Sequence, residues 1–175
     1  DDIWLNNSRP AFSWNFSDAD SPSQMAFQWQ ADDERGFKTV DYDSGEVQET
    51  TTWYTPSSDM KDGVWYWRVR NKDCDGSWGG YSTSRTMKLD LTLPDRFTPV
   101  VNPGSWTNNS SPEVSFSATD GGSGIDHYEV EVDAGAFSVQ EAPCTLPALE
   151  DGIHVITIRA CDRAGNFREG VASSF

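Results

Sequence analysis

The chain repeats itself. The stretch KDGVWYWRVRNKDCDGSW, Lys61 to Trp78, returns 89 positions later as EDGIHVITIRACDRAGNF, Glu150 to Phe167. Without a gap, Asp62-Gly63 falls on Asp151-Gly152, Val69 on Ile158, Arg70 on Arg159, Asp73 on Asp162, Gly76 on Gly165 and Trp78 on Phe167. Asp-Gly is a turn signal, the alternating run behind it reads as a strand, and Asp-x-x-Gly closes the unit with a second turn. A recurrence at this distance in 175 residues predicts two domains, 1–92 and 93–175, each able to bury a modest core.

A period of two also assigns faces. Trp65, Trp67 and Val69 point one way, and His154, Ile156, Ile158 and Ala160 are their counterparts. Tyr66, Arg68 and Arg70 point the other way, as do Val155, Thr157 and Arg159. This is the pattern of an antiparallel strand with one face in a core and the other in water.

The remaining segments fall into short strands between turn signals. In the first half these are the opening DDIWLNNSRP, then AFSWNF with Phe12, Trp14 and Phe16 on one face, and MAFQWQA offering Met25, Phe27 and Trp29 inward. TVDYDSGEV, TTWYTP, the Trp65 strand and STSRTMKLDL follow. The second half runs through LTLPDRFTPVVNPG, EVSFSATD, HYEVEVDAG, AFSVQ, CTLPAL and the repeated strand to REGVASSF, which is expected to fray. About seven short strands with turns every 8 to 12 residues, and no convincing helix, make each half an immunoglobulin-like antiparallel β-sandwich.

These residues carry a resemblance. RPAFSWNFSDADSPSQMAFQWQ, VDYDSG, DGVWYWRVRNKDCDGSW and YSTSRTMKLD resemble the fibronectin type III-like modules of bacterial and archaeal surface and secreted proteins. SWTNNSSPEVSFSATDGGSGIDHYEVEVD with DGIHVITIRACDRAGN is similar to the bacterial Ig-like repeats of cell-surface proteins. The resemblance implies a spacer, stalk, adhesive or accessory segment of a larger extracellular protein. Its partners would be neighbouring domains of the same chain, and surface proteins or glycans. The second half lacks a Cys on its second strand, so no inter-sheet core disulfide is expected.

Charge narrows the partners further. The formal net charge of −15 divides into −7 and −8 between the halves, and such a surface repels nucleic acid and anionic membranes while attracting divalent cations. No hydrophobic run reaches the length of a membrane span. A start at Asp1 rather than Met suggests a processed or excised piece. The three cysteines, Cys74, Cys144 and Cys161, have no CxxC spacing and allow at most one bridge; strand parity points Cys161 away from the Ile156/Ile158 face.

Three sets of residues are candidates for function. In this topology the loops Ser17–Gln24 and Asp73–Gly80 leave the first sandwich at one end, so Asp18, Asp20, Asp73 and Asp75 could converge on Ca²⁺, which takes 6 to 8 oxygens in flexible geometry. Equally, each Asp could cap its own turn. Asp120 and Asp162, with Asn166 nearby, are the reduced counterpart in the second half. Seven of the eight tryptophans lie in the first half, where parity consigns Trp14, Trp29, Trp65 and Trp67 to the core. Trp53, Trp78 and Trp106 are the candidate ligand-facing rings, although the shared repeat position of Trp78 and Phe167 suggests packing under a turn. No catalytic motif is present, and His154, just after a corner, is expected to hydrogen-bond backbone. Sequons at Asn6, Asn15, Asn108 and Asn109 fit an outside-facing protein.

Overall fold

The computed structural model describes residues 3–18 and 23–172. The chain divides into two compact units, Asp1–Leu91 and Thr92–Phe175. All regular structure among the described residues is β.

Unit 1 contains β1 (Trp4–Leu5), β2 (Phe12–Ser13), β3 (Gln24–Asp32), β4 (Tyr42–Asp43), β5 (Trp53–Tyr54), β6 (Gly63–Asp73) and β7 (Arg85–Leu89). A sheet in the order β1-β7-β6-β3-β4 faces the two-stranded pair β2-β5. The repeated segment is β6, its central strand. Alternation puts Trp65, Trp67 and Val69 in the core with Phe12, Phe27, Trp29, Met60 and Leu89. Rings interlock there, Phe12 lying 4.6 Å from Trp29 and 5.1 Å from Trp67 between centroids. Aromatic side chains bury more area than any other type, which lets a unit of this size hold together without a disulfide.

Met25 departs from the expected inward face. β3 slips register against β6 between Gln24 and Ala26, so Met25 is the extra residue of a β-bulge and points out, 38% exposed. Ala26 and Phe27 behind it are both buried. A bulge inserts one residue opposite none, and strict alternation fails across it.

Unit 2 contains β8 (Val100–Asn102), β9 (Glu113–Ser115), β10 (Ile125–Val132), β11 (Ser138–Gln140), β12 (Cys144–Thr145), β13 (Ile156–Asp162) and β14 (Phe167–Ala172). Its sheets run β11-β10-β13-β14 and β12-β9-β8. The second copy of the repeat is β13, whose Ile156 and Ile158 pack with Val101, Val114, Phe116, Val130 and Leu146. REGVASSF does not fray over its described part. β14 pairs residue for residue with β13 from Cys161↔Phe167 to Ile156↔Ala172, because a strand whose Gly170 and Ala172 are buried gains from docking on β13. None of the three cysteines is in a disulfide; Cys144 and Cys161 are buried and Cys74 is exposed.

Candidate functional site

The loop after β6 turns on one carboxylate. Asp73 Oδ1 accepts hydrogen bonds from the backbone N–H groups of Asp75 at 2.9 Å and Ser77 at 2.8 Å. The Asp73 N–H donates to the Ser77 carbonyl at 3.0 Å, and the Asp73 carbonyl accepts from Gly76 N–H at 3.2 Å. Gly76 completes the turn at φ +88°, where an L side chain is strained. Asp75 is exposed. Asp18 lines a cavity of about 380 Å³ together with Gly79 and Gly80, so the two loops do meet. Among the described residues, Asp18, Asp73 and Asp75 do not belong to a group of three carboxylates within 4.8 Å of one another. Asp20 lies outside the described residues.

Unit 2 repeats the turn. Asp162 Oδ1 accepts from the Ala164 and Asn166 N–H groups at 2.9 and 2.8 Å, and its Oδ2 from the Asn166 side-chain amide at 2.8 Å. Asp120, whose Oδ2 accepts from Gly122 and Gly124 N–H at 3.1 and 2.7 Å, comes within 4.8 Å of Asp162. The structure thus brings together the reduced pair in unit 2.

The three candidate rings have different surroundings. Trp53 is 56% exposed and Trp106 80%. Trp106 stands at the rim of a cavity of about 360 Å³ with Asn108, Asn109, Glu150, Asp151 and His154. Trp78 is half-buried, and the expected packing under a turn is replaced by stacking on the outer face of the sheet. The Arg70 guanidinium lies 4.6 Å and the Lys72 ammonium 5.6 Å from its ring centroid. Phe167 makes the equivalent contact with Arg159 at 4.5 Å and is 47% exposed. A ring face already covered by a cation is not free to stack on a ligand.

This stacking extends into a ladder that the sequence reading missed. Arg68 sits 4.0 Å from both the Phe37 and Tyr81 centroids, and Arg70 5.0 Å from Tyr81. Beneath it, Gln30 Oε1 accepts from Arg68 Nε and Nη2 at 3.0 and 2.8 Å, and Gln28 Oε1 accepts from Arg70 Nε and Nη2 at 2.9 and 2.6 Å. Both glutamine amides donate to Asp43, at 2.8 and 2.9 Å from Gln28 and 2.8 Å from Gln30. Burial pushes the Asp43 carboxyl up, but the hydrogen bonds from Gln28, Gln30 and Gly45 N–H, with the Arg70 charge, hold it below its ordinary value. The available signal was basic residues at 68, 70 and 72 on one strand face, with aromatics at 78 and 81 following.

His154 is clamped. Its Nδ1 lies 2.6 Å from Asp133 Oδ2 and its Nε2 2.9 Å from the Glu150 carbonyl. Both neighbours are acceptors, so the protonated ring satisfies both of them, and in that form neither nitrogen has a lone pair with which to act as a general base. The Asp133 bond, then the Glu150 bond, raises the His154 pKa, and the His154 bond lowers that of Asp133. His127 is bound to Asp126 at 2.7 Å. Burial pushes the Cys144 and Cys161 thiols up, away from the thiolate form a nucleophile requires.

No family model matches the sequence, and no curated protein is significantly similar to it. Solved structures are similar in fold. An α-L-rhamnosidase from Dictyoglumus thermophilum matches with a TM-score of 0.52 and 12% identity, over 97% of this chain and 27% of the rhamnosidase. The fibronectin(III)-like modules of Clostridium thermocellum CbhA match at 0.52 and 13%, over 97% of this chain and 85% of theirs. The FN1-FN3 domains of chicken CNTN1 match at 0.50 and 14%, over 97% of this chain and 64% of theirs. The chain therefore folds as tandem fibronectin type III-like and Ig-like sandwiches, a fold that hosts many roles.

Proposed function

We propose that this chain is a non-catalytic structural and interaction segment of a larger extracellular or cell-surface protein, serving as spacer, stalk or adhesion modules. The observation that carries this reading is that each unit closes on its own core. Units built in that way bear load separately and can be strung in series. The groups that acid, base or thiol chemistry would use are committed elsewhere: the Asp73 and Asp162 carboxylates to turns, both His154 nitrogens to acceptors, and two of the three thiols to burial. Among the described residues no helix is long and apolar enough to cross a membrane.

Pulling the chain by its ends tests this reading. Two independent unfolding steps are expected, each releasing about 300 Å of chain. One merged step, or extension without resistance, would contradict it.

A second reading, an accessory glycan-binding module, draws on the Trp106 rim. An indole that is 80% exposed offers a flat apolar face to the C–H side of a sugar ring, and Asn108, Asn109 and Asp151 can meet its hydroxyls. Retention on an immobilised polysaccharide that Trp106→Ala abolishes without unfolding would favour this reading. Equal mobility of wild type and variant would remove it.

A further inference from the structure

We propose that unit 1 holds a calcium ion between the ends of β3 and β4, on Asp32, Asp33 and Asp41. β3 and β4 pair antiparallel through Gln30↔Asp43 and Ala31↔Tyr42. One step further along that register, Asp32 and Asp41 face each other across the mouth of the connecting loop. Like charges set opposite one another on neighbouring strands destabilise the pairing. Asp33 adds a third, and one carboxylate oxygen of each of the three lies within 4.8 Å of the others.

Asp32 supplies the independent observation. It is 0% exposed, its Oδ1 accepts from Glu34 N–H at 2.8 Å, and its Oδ2 is buried with no hydrogen-bond partner. An ionised oxygen removed from water without a donor is costly, and a neighbouring cation removes that cost. The protein does not provide one. Among the described residues no Lys, Arg or His nitrogen pairs with any of these carboxylates, and the nearby Arg35 is turned onto the Tyr66 ring, 5.4 Å from its centroid. Asp33 and Asp41 are exposed, which leaves the cluster open to an ion from solution.

The donor set selects the ion. Mg²⁺ demands near-ideal octahedral geometry at roughly 2.0–2.1 Å and gives up its waters reluctantly, so three carboxylates on neighbouring loop and strand ends suit it poorly. Three carboxylates offer up to six oxygens, and Ca²⁺ tolerates the irregular arrangement a loop gives. An open site of this kind belongs with extracellular modules that bind at roughly 0.1–1 mM. Its work would be to pin β4, the two-residue edge strand whose Tyr42 packs on Trp65 at 5.1 Å.

The test is titration calorimetry and thermal unfolding of the whole chain with millimolar Ca²⁺, Mg²⁺ or EDTA. It uses wild type, the double variant Asp33→Asn with Asp41→Asn, and the control Asp75→Asn. One calcium per chain is expected, with a midpoint for unit 1 raised by several degrees at 100 times the dissociation constant. The control should keep this response and the double variant should lose it. In EDTA the double variant should be at least as stable as wild type, because the repulsion is gone. No heat and no shift in wild type, a shift retained by the double variant, or a variant less stable than wild type in EDTA would each overturn the site.

Discussion

Asp73 and Asp162, 89 positions apart, make the same four hydrogen bonds. In each, Oδ1 takes the N–H groups two and four residues on, the N–H donates to the carbonyl four on, and the carbonyl takes the N–H three on. The repeat therefore preserves a turn down to individual lone pairs. Removing the carboxylate leaves two N–H groups short of an acceptor. We expect Asp73→Ala and Asp162→Ala each to lower the stability of their own unit by about 1–2 kcal/mol, the latter more because Asp162 is 3% exposed. Denaturant unfolding with separate probes for the two units measures it. Equal loss in both units from one substitution would contradict this account.

The outer face of the first sandwich yields a second expectation. Arg70→Ala removes two hydrogen bonds to Gln28 and uncovers Trp78. Unit 1 should lose about 2 kcal/mol, and Trp78 emission should shift to the red. Arg70→Lys should recover only part of this, since an ammonium cannot grip Gln28 through a planar fork. Full rescue by Lys would mean that charge alone matters there.

Unit 2 should show two pH limits from a single contact. His154 has a raised pKa, so its contribution is complete below the unfolded value near 6.5 and lost as pH rises through the folded value. Asp133 has a lowered pKa, so its contribution is present above the unfolded value near 3.9 and lost as pH falls through the folded one. The midpoint of unit 2 should be highest between about pH 4 and 6.5. His154→Gln should flatten both sides. A profile unchanged by that substitution would detach the effect from this pair.

Gly170 gives a steric test. A Cβ there would lie 2.9 Å from Pro99 Cδ and 3.0 Å from Phe97 Cε2, closer than packed atoms approach. Gly170→Ala should destabilise unit 2 by about 1–3 kcal/mol, read from its thermal midpoint. Combining it with Phe97→Leu should restore part of the loss.

Strand faces were legible wherever alternation ran unbroken, as at Trp65, Trp67 and Val69 or Ile156 and Ile158. Alternation cannot see an inserted residue, and Met25 was lost at that point. Other features escaped because they join distant segments: Phe37, Arg68 and Tyr81 meet only after β3, β6 and the loop behind β6 are in place. Asp32, just past MAFQWQA, and Asp41, inside TVDYDSGEV, read as unrelated polar residues until the pairing register sets them opposite. The reach of Asp73 toward a shared apex was a matter of loop position, whereas its Oδ1 answers to nearby N–H groups of its own turn, two and four residues on.

The short outermost strands of the larger sheets have a consequence for crowding. β1 and β4 are two residues long and β11 three, so three of the four edges present almost no run of unpaired backbone to another chain. The fourth, β14, carries Arg168 and Glu169 midway along its length. Sandwiches held side by side at high local density, each with a surplus of negative charge, would then brush past one another without zipping into a continuous sheet.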